Sequence, residues 1–371
     1  MHTLVKHPEM HLSDRSKAVM TTILVVLIIM LLLLAAEGLT RVRQYFKYGM
    51  VPSINSMVVE PKTGLHIPRP AMETANIRIN SLGFRGPELI MPRQAGTLRI
   101  GFIGASTTYC AEVSSNEAVW TELVARNLES ATPGLSVDYI NGGVDGYSTN
   151  QSLVNLEQRL LPLRPDIIVI YHATNDLSGE TRKLAKKAGI GRTNLEVGKS
   201  FLGKYSLLWS LVEKNLAIMN AQHSTDAEML TLERESLGEE FRKNLKQLVR
   251  TARDNGVKLV ALATFAIHLR EDMTPEQQSA AMVSARYYMP YLSASDMLAA
   301  FASYNEIIRE VAASTGAVLI DGHNGIPGDP VYFNDSVHFT DAGSQAQAER
   351  VANALHSSDA YSELIATVLQ E

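Results

Sequence analysis

From residue 97 onward the chain predicts an α/β protein: a five-stranded parallel sheet, doubly wound, with helices over both faces. Three observations predict it. Five short apolar runs alternate with longer stretches of helical spacing, the pattern of repeated β-α-β units. One of those runs, Ile167-Ile168-Val169-Ile170-Tyr171, is apolar almost throughout, as a central strand covered on both sides must be. Two helical stretches are each closed by a glycine, Gly256 and Gly316, and pass directly into the next apolar run.

Taken in order, the first strand is Arg99-Ile100-Gly101-Phe102-Ile103-Gly104, which stops at a glycine and delivers Ala105-Ser106-Thr107-Thr108 to the start of a helix. Val119 to Leu128 has helical spacing. Pro133-Gly134 breaks it, and Leu135 to Ile140 is the second strand. Asn150 to Leu161 is helical, and Pro165-Asp166 introduces the central strand, 167–171. The helix Leu237 to Asp254 leads into Val257 to Ala263, and Ala299 to Ser314 leads into Ala317 to Ile320. A last helix runs from Asp341 to His356, with Thr340 as its N-cap. The domain therefore covers 97–357, with insertions at 177–234 and 268–296, and 358–371 is left as a tail. The first insertion carries an apolar stripe (Leu208, Leu211, Val212, Leu216, Met219) flanked by Tyr205 and Trp209; the second carries Tyr287, Tyr288 and Tyr291. Core or lid packing is the expectation for both, ahead of a dedicated substrate platform.

Residues 1–17 form an N-terminal tail, whose His7 and His11 read as solvated rather than metal-ligating. Residues 18–36 hold no charge, and as a helix they would extend ~28 Å, close to a hydrocarbon core of ~30 Å. Leu34-Ala35-Ala36 is a poor cleavage site, so an uncleaved single-pass anchor is expected over a signal peptide. Lys6, Arg15 and Lys17 before the span balance Arg41, Arg43 and Lys47 after it, which leaves its orientation open. Residues 37–96 are a linker and lead-in, rich in proline, within which Asn80 to Pro87 reads as an ordered turn packed on the domain.

The composition excludes some functions. In 371 residues, 46% are apolar and the net charge is −5 with no long basic run, so the chain has a good core and nucleic acid is not an expected partner. A single cysteine, Cys110, rules out an internal disulfide framework. Gly101 and Gly104 do not make a dinucleotide fingerprint, since the spacing is wrong and the second strand ends in Asn141 rather than an acid. Thr108 stands where an α/β-hydrolase elbow requires glycine.

Ser106 reads either as a simple N-cap or as a nucleophile at the positive end of a helix. The other strand ends supply what a nucleophile needs. After the second strand comes the glycine-rich turn Asn141 to Thr149; after the third, His172-Ala173-Thr174-Asn175-Asp176; after the fifth, Asn334-Asp335-Ser336-Val337-His338. A hydroxyl attacking an ester needs a base, for which histidine is suited, and the histidine needs an acceptor on its other nitrogen. His338 and Asp335 fill those roles, with Asp321 as a more distant rival for the carboxylate. The oxyanion needs pre-aimed donors: the N–H groups of Ser106 and Gly146 and the Asn175 amide.

This order of residues resembles the SGNH (GDSL-type) hydrolase superfamily over roughly 97–357. Gly104-Ala105-Ser106-Thr107 is similar to its first block, Asn141 to Thr149 to its second, Ala173 to Asp176 to its third and Asp335 to His338 to its last. The resemblance implies a three-layer α/β/α flavodoxin-like fold and ester hydrolysis without cofactor or metal. It assigns Ser106, Gly146, Asn175 and His338 as the name-giving residues, with Asp335 as the triad acid. Ala105 and Ala173 depart from the family pattern. Asn80 to Glu88 is similar to the lead-in of membrane-anchored bacterial members, many tied to cell-surface polysaccharide acylation. That implies a single-pass protein of the bacterial inner membrane with an extracytoplasmic domain. The expected substrate is an ester-bearing small molecule, lipid or acylated glycan. The alternatives are an O-acetyltransferase or deacetylase acting on cell-surface polysaccharide, or a non-catalytic glycan-binding module with a decayed site.

Overall fold

The structure, a computed structural model, describes residues 13–48, 56–190, 200–222, 229–233 and 237–370. His7, His11 and parts of the first insertion lie outside the described residues. The N-terminal helix α1, Asp14–Tyr48, runs unbroken through the uncharged stretch and is long and apolar enough to cross a membrane. A short hairpin follows, β1 (Met57–Val59) against β2 (His66–Pro68).

The sheet begins with β3 (Thr97–Gly104), then α2 (Ser106–Tyr109), α3 (Trp120–Ala131) and β4 (Ser136–Gly143). Next come α4 (Thr149–Asn155), β5 (Ile167–Tyr171), α5 (Thr174–Lys187), and α6 (Phe201–Tyr205) with α7 (Leu207–Gln222) in the first insertion. The chain continues through α8 (Glu239–Asp254), β6 (Leu259–Ala263), and α9 (Pro275–Ala281) with α10 (Val283–Tyr288) in the second insertion. It closes with α11 (Ala294–Thr315), β7 (Val318–Ile320), α12 (Asp341–His356) and α13 (Asp359–Val368). Five parallel strands lie in the order β4-β3-β5-β6-β7, a flavodoxin-like winding. Helices α3, α12 and α13 pack together on one side and α4, α5, α8 and α11 on the other, giving three layers.

Every residue of β5 and β6 is buried, which explains their nearly continuous apolar sequence. Two buried arginines are extensively paired. Arg99, at the far end of β3, is bound to Asp138 at 2.6 Å and donates to the carbonyls of Leu163 and Ile90. Arg85, from the Asn80 to Pro87 turn, donates to Asn116 Oδ1 (2.9 Å) and to the carbonyls of Asn76 (2.8 Å), Tyr109 (2.9 Å) and Cys110. That turn is thereby fastened to the segment just after α2.

Three expectations need correction. The stretch expected as a C-terminal tail, 358–371, is helical over Asp359–Val368: α13 buries Tyr361, Ile365 and Val368 along one face. The helix expected over 150–161 is α only to Asn155; a π turn and a 3₁₀ turn follow to Leu163, because Pro162 has no N–H to continue the α ladder. The first insertion, expected to pack as core or lid, joins the core only in part: Leu177, Ala185 and Leu230 are buried in it. Phe201, Leu202, Tyr205, Trp209 and Leu216 are exposed, and α7 rests on α1 and α10.

Candidate active site

Strand register assembles the site. Gly104 pairs with Gly143 of β4 and with Tyr171 of β5, so three strands finish on one line. Ser106, Gly146 and Asn175 follow those ends within four residues. The β3/β5 boundary is also where the winding reverses, the place open α/β sheets reserve for ligands. Two glycines allow the close approach this requires. A Cβ on Gly104 would collide with Thr108 Oγ1, and one on Gly143 with the backbone nitrogen of Tyr109. Helix α2 therefore lies directly on the strand ends, with Ser106 as its first residue.

The fourth group arrives from the loop after β7. His338 Nε2 is 2.8 Å from Ser106 Oγ, and His338 Nδ1 is 2.9 Å from Asp335 Oδ2. Asp335 Oδ1 accepts the N–H groups of Val337 and His338, both at 2.9 Å, which shapes the loop so that both side chains converge. The second insertion supports that loop. Ser284 Oγ accepts the Ser336 N–H, Ser336 Oγ accepts the Ala285 N–H, and His268 Nδ1 contacts the Asp335 carbonyl. Burial pushes the Asp335 carboxyl up, but the hydrogen bonds from His338 and the two backbone N–H groups outweigh it and hold it at about 2. Burial pushes His338 down, yet its bond to Asp335 and the charges of Glu112, Asp335 and Asp145 raise it to about 9.

The candidate oxyanion donors converge on the same side of the rim. Gly146 holds φ +80°, a conformation glycine adopts without strain, and no Cβ contact would arise there. It is chosen for backbone angle rather than for space. Asn175 Nδ2 donates to the Tyr147 carbonyl at 2.9 Å, tying the amide to the Gly146 turn. As the first residue of α2, Ser106 presents an N–H with no partner inside the helix.

Other singled-out residues fall elsewhere. Asp321 is held by Arg309 at 2.8 Å, which removes it as a partner for His338. Cys110 is buried and caps α2 in the left-handed region; burial pushes its thiol well up. Ala173 is buried at φ −168°, extended backbone that alanine adopts freely. Among the described residues, no group of three or more His, Cys, Asp or Glu is placed to hold a metal ion.

Sequence reasoning missed three acidic roles. Asp176, read as a turn residue, accepts from the Thr149 N–H (3.1 Å) and hydroxyl (2.5 Å), clasping the start of α4 to the Asn175 loop. The adjacency of Asn175 and Asp176 was its only signal. Glu112 and Asp145 are exposed loop residues whose charge reaches His338, and no spacing rule marks such positions.

A doubly wound sheet whose rim joins a serine to a histidine and a carboxylate has the layout of an acylhydrolase. The chain belongs to the GDSL-like lipase/acylhydrolase family, whose sequence model matches residues 102–346. No curated protein matches it significantly. Similar solved structures include the acetyl xylan esterase AlAXEase, at 15% identity and TM-score 0.41, covering 69% of this chain and 99% of that one. Axe2, an acetylxylan esterase from Geobacillus stearothermophilus, is 15% identical with TM-score 0.40, covering 69% and 91%. A lipase/acylhydrolase from Enterococcus faecalis is 16% identical with TM-score 0.41, covering 70% and 95%.

Proposed function

We propose that the chain is a membrane-anchored serine esterase that cleaves carboxylic esters through Ser106, His338 and Asp335. The observation that carries this reading is the continuous hydrogen-bond chain from Ser106 Oγ through both nitrogens of His338 to Asp335. In the first half-reaction, Ser106 Oγ passes its proton to His338 Nε2 and bonds to the ester carbonyl carbon. The negative oxygen that develops is received by the N–H groups of Ser106 and Gly146 and by Asn175 Nδ2. Asp335 stabilises the imidazolium, which then gives its proton to the departing alkoxide as the ester C–O bond breaks. Water repeats the sequence on the acyl-enzyme, releasing the acid and restoring Ser106. Helix α1 supports the anchor, with the domain on the extracytoplasmic side.

A panel of p-nitrophenyl esters of increasing chain length, with and without a sugar acceptor, tests the reading. Release of free acid is expected. If the acyl group appears only on the sugar, the chain is an O-acyltransferase using the same residues. Folded protein that turns over no ester and takes up no fluorophosphonate would instead be a binding module.

The environment of His338 sets a pH dependence. Only its neutral form accepts the serine proton, and the surrounding carboxylates favour the charged form. In free enzyme kcat/KM should climb about tenfold per pH unit through neutrality and level off near pH 9. A profile already flat at pH 7 would show that the carboxylates do not hold the proton on this ring.

A further inference from the structure

The first insertion leaves an aromatic face that no described residue covers. Phe201 is 75% exposed, Leu202 55%, Tyr205 65% and Trp209 42%. Phe201 and Tyr205 stack their rings at a tilt, 5.2 Å apart, so the exposed surface is continuous. What covers it follows from where it is tied. Glu37, the first charged residue after the uncharged run of α1, accepts hydrogen bonds from the Leu207 N–H (3.1 Å), the Leu208 N–H (2.9 Å) and the Ser206 hydroxyl (2.8 Å). A carboxylate on one helix thus satisfies the orphan N–H groups at the start of another. One turn further along α1, Arg41 reaches the Tyr205 carbonyl and pairs with Glu37 at 2.8 Å.

These bonds fix a level as well as a contact. Residues 205–208 lie beside residues 37–41, the turn at which α1 passes from uncharged to charged sequence. For a helix that crosses a bilayer, that turn sits in the headgroup layer, where tryptophan and tyrosine concentrate because one end of each ring is apolar and the other polar. Trp209 has that character: its indole N–H is satisfied by Glu213 Oε1 at 2.7 Å while its ring stays exposed. Arg43 follows Arg41 by two residues and adds a second positive charge at this level of α1.

We propose that α6 and the first turn of α7 are a membrane seat: Phe201, Leu202, Tyr205 and Trp209 lie in the headgroup layer of a phospholipid bilayer beside the exit of α1. The proposal rests on the anchor reading. It also gives that reading a consequence for the site. Helix α7 packs on α10, and α10 holds the loop of Asp335 and His338 through Ser284 and Ala285, which bond to Ser336. The triad loop is thus tied through α10 to the helix that starts at the seat, and the substrate class this arrangement suits is an ester presented at the bilayer surface, such as an acylated lipid or a lipid-linked glycan.

The chain contains two tryptophans, and Trp120 is fully buried in the core, so Trp209 is a natural reporter. Full-length protein is placed in nanodiscs of phosphatidylcholine and phosphatidylglycerol, either plain or with lipid brominated near the top of the acyl chain. The Trp209 signal is wild-type emission minus that of Trp209→Phe. Bromolipid should quench it by at least half while leaving the Trp120 emission of Trp209→Phe unchanged. An unquenched Trp209 signal, in protein that resists carbonate extraction from membranes, overturns the seat and leaves the anchor standing. Protein that carbonate strips from the membrane overturns the anchor, and the seat with it.

Discussion

Replacing Ser106 with alanine should lower kcat for p-nitrophenyl acetate by about 10⁴-fold or more, with the folded state left intact. The size of the effect follows from the arrangement at the rim. Among the described residues the hydroxyl is the hydrogen-bond partner of His338 Nε2, at 2.8 Å, and on the proposed mechanism its loss leaves the base no proton to take and the carbonyl carbon no nucleophile. The proposed oxyanion donors would remain, but the attacking oxygen would be gone. Ser106 is only partly buried, and α2 is secured by Arg85 and by its contact with the sheet, so stability should change by less than about 0.5 kcal/mol. Circular dichroism and ester turnover on the same sample separate the two effects. Turnover within tenfold of wild type would remove Ser106 as nucleophile, and fluorophosphonate labelling of Ser106→Ala would point to another serine.

Substituting Arg85 with methionine should have the largest effect on stability. The guanidinium is buried and serves Asn116 Oδ1 and the carbonyls of Asn76, Tyr109 and Cys110. Methionine matches the stem but supplies no donor, so several buried acceptors are left unpaired. Each costs about 1–3 kcal/mol; relaxation and water entry reduce the sum, and about 4 kcal/mol is expected. For a domain of this size that is a fall in Tm of roughly 10 °C. Two of the carbonyls belong to Tyr109 and Cys110, which end the helix that Ser106 begins, so kcat should fall with Tm. A loss below about 2 °C would mean that the lead-in turn is an accessory rather than part of the domain.

Much of the fold is legible in the sequence because its strongest signals are local. The central strand falls where five consecutive apolar residues follow Pro165-Asp166, and the last helix starts where Thr340 caps it, accepting the Gly343 N–H at 3.2 Å. Two helices close at Gly256 and Gly316, both at positive φ. Less was legible where the structure depends on distant partners. Helix α13 has no glycine or proline to frame it, and its apolar face means little until α12 and the sheet are there to receive it. Tyr205 and Trp209, beside the apolar stripe of the first insertion, read as core or lid packing because that stripe has the spacing of a buried face. Hydropathy marks a residue as leaving water without saying whether protein or lipid takes it in.

The site divides along the same line. Ser106, Gly146 and Asn175 could be read because each follows a strand end closely, and parallel register aligns those ends. Asp335 and His338 could be paired by their three-residue spacing, which the bonds from Asp335 to the loop backbone now explain. Asp176, Glu112 and Asp145 could not, because their effect lies in which loops happen to meet above the sheet. A carboxylate that clasps a neighbouring loop or biases a ring several residues away leaves no periodic trace.

One consequence follows from how unequally the two halves of the rim are mounted. The groups that would receive the carbonyl's charge descend from strands locked together by a ladder of main-chain bonds. Asp335 and His338, proposed to handle the proton, hang from the long connection between β7 and α12, braced through Ser284 and Ser336 by α10. A movement of α10 would therefore reach the loop of Asp335 and His338 through those two bonds before it reached the strand ends that carry Ser106, Gly146 and Asn175.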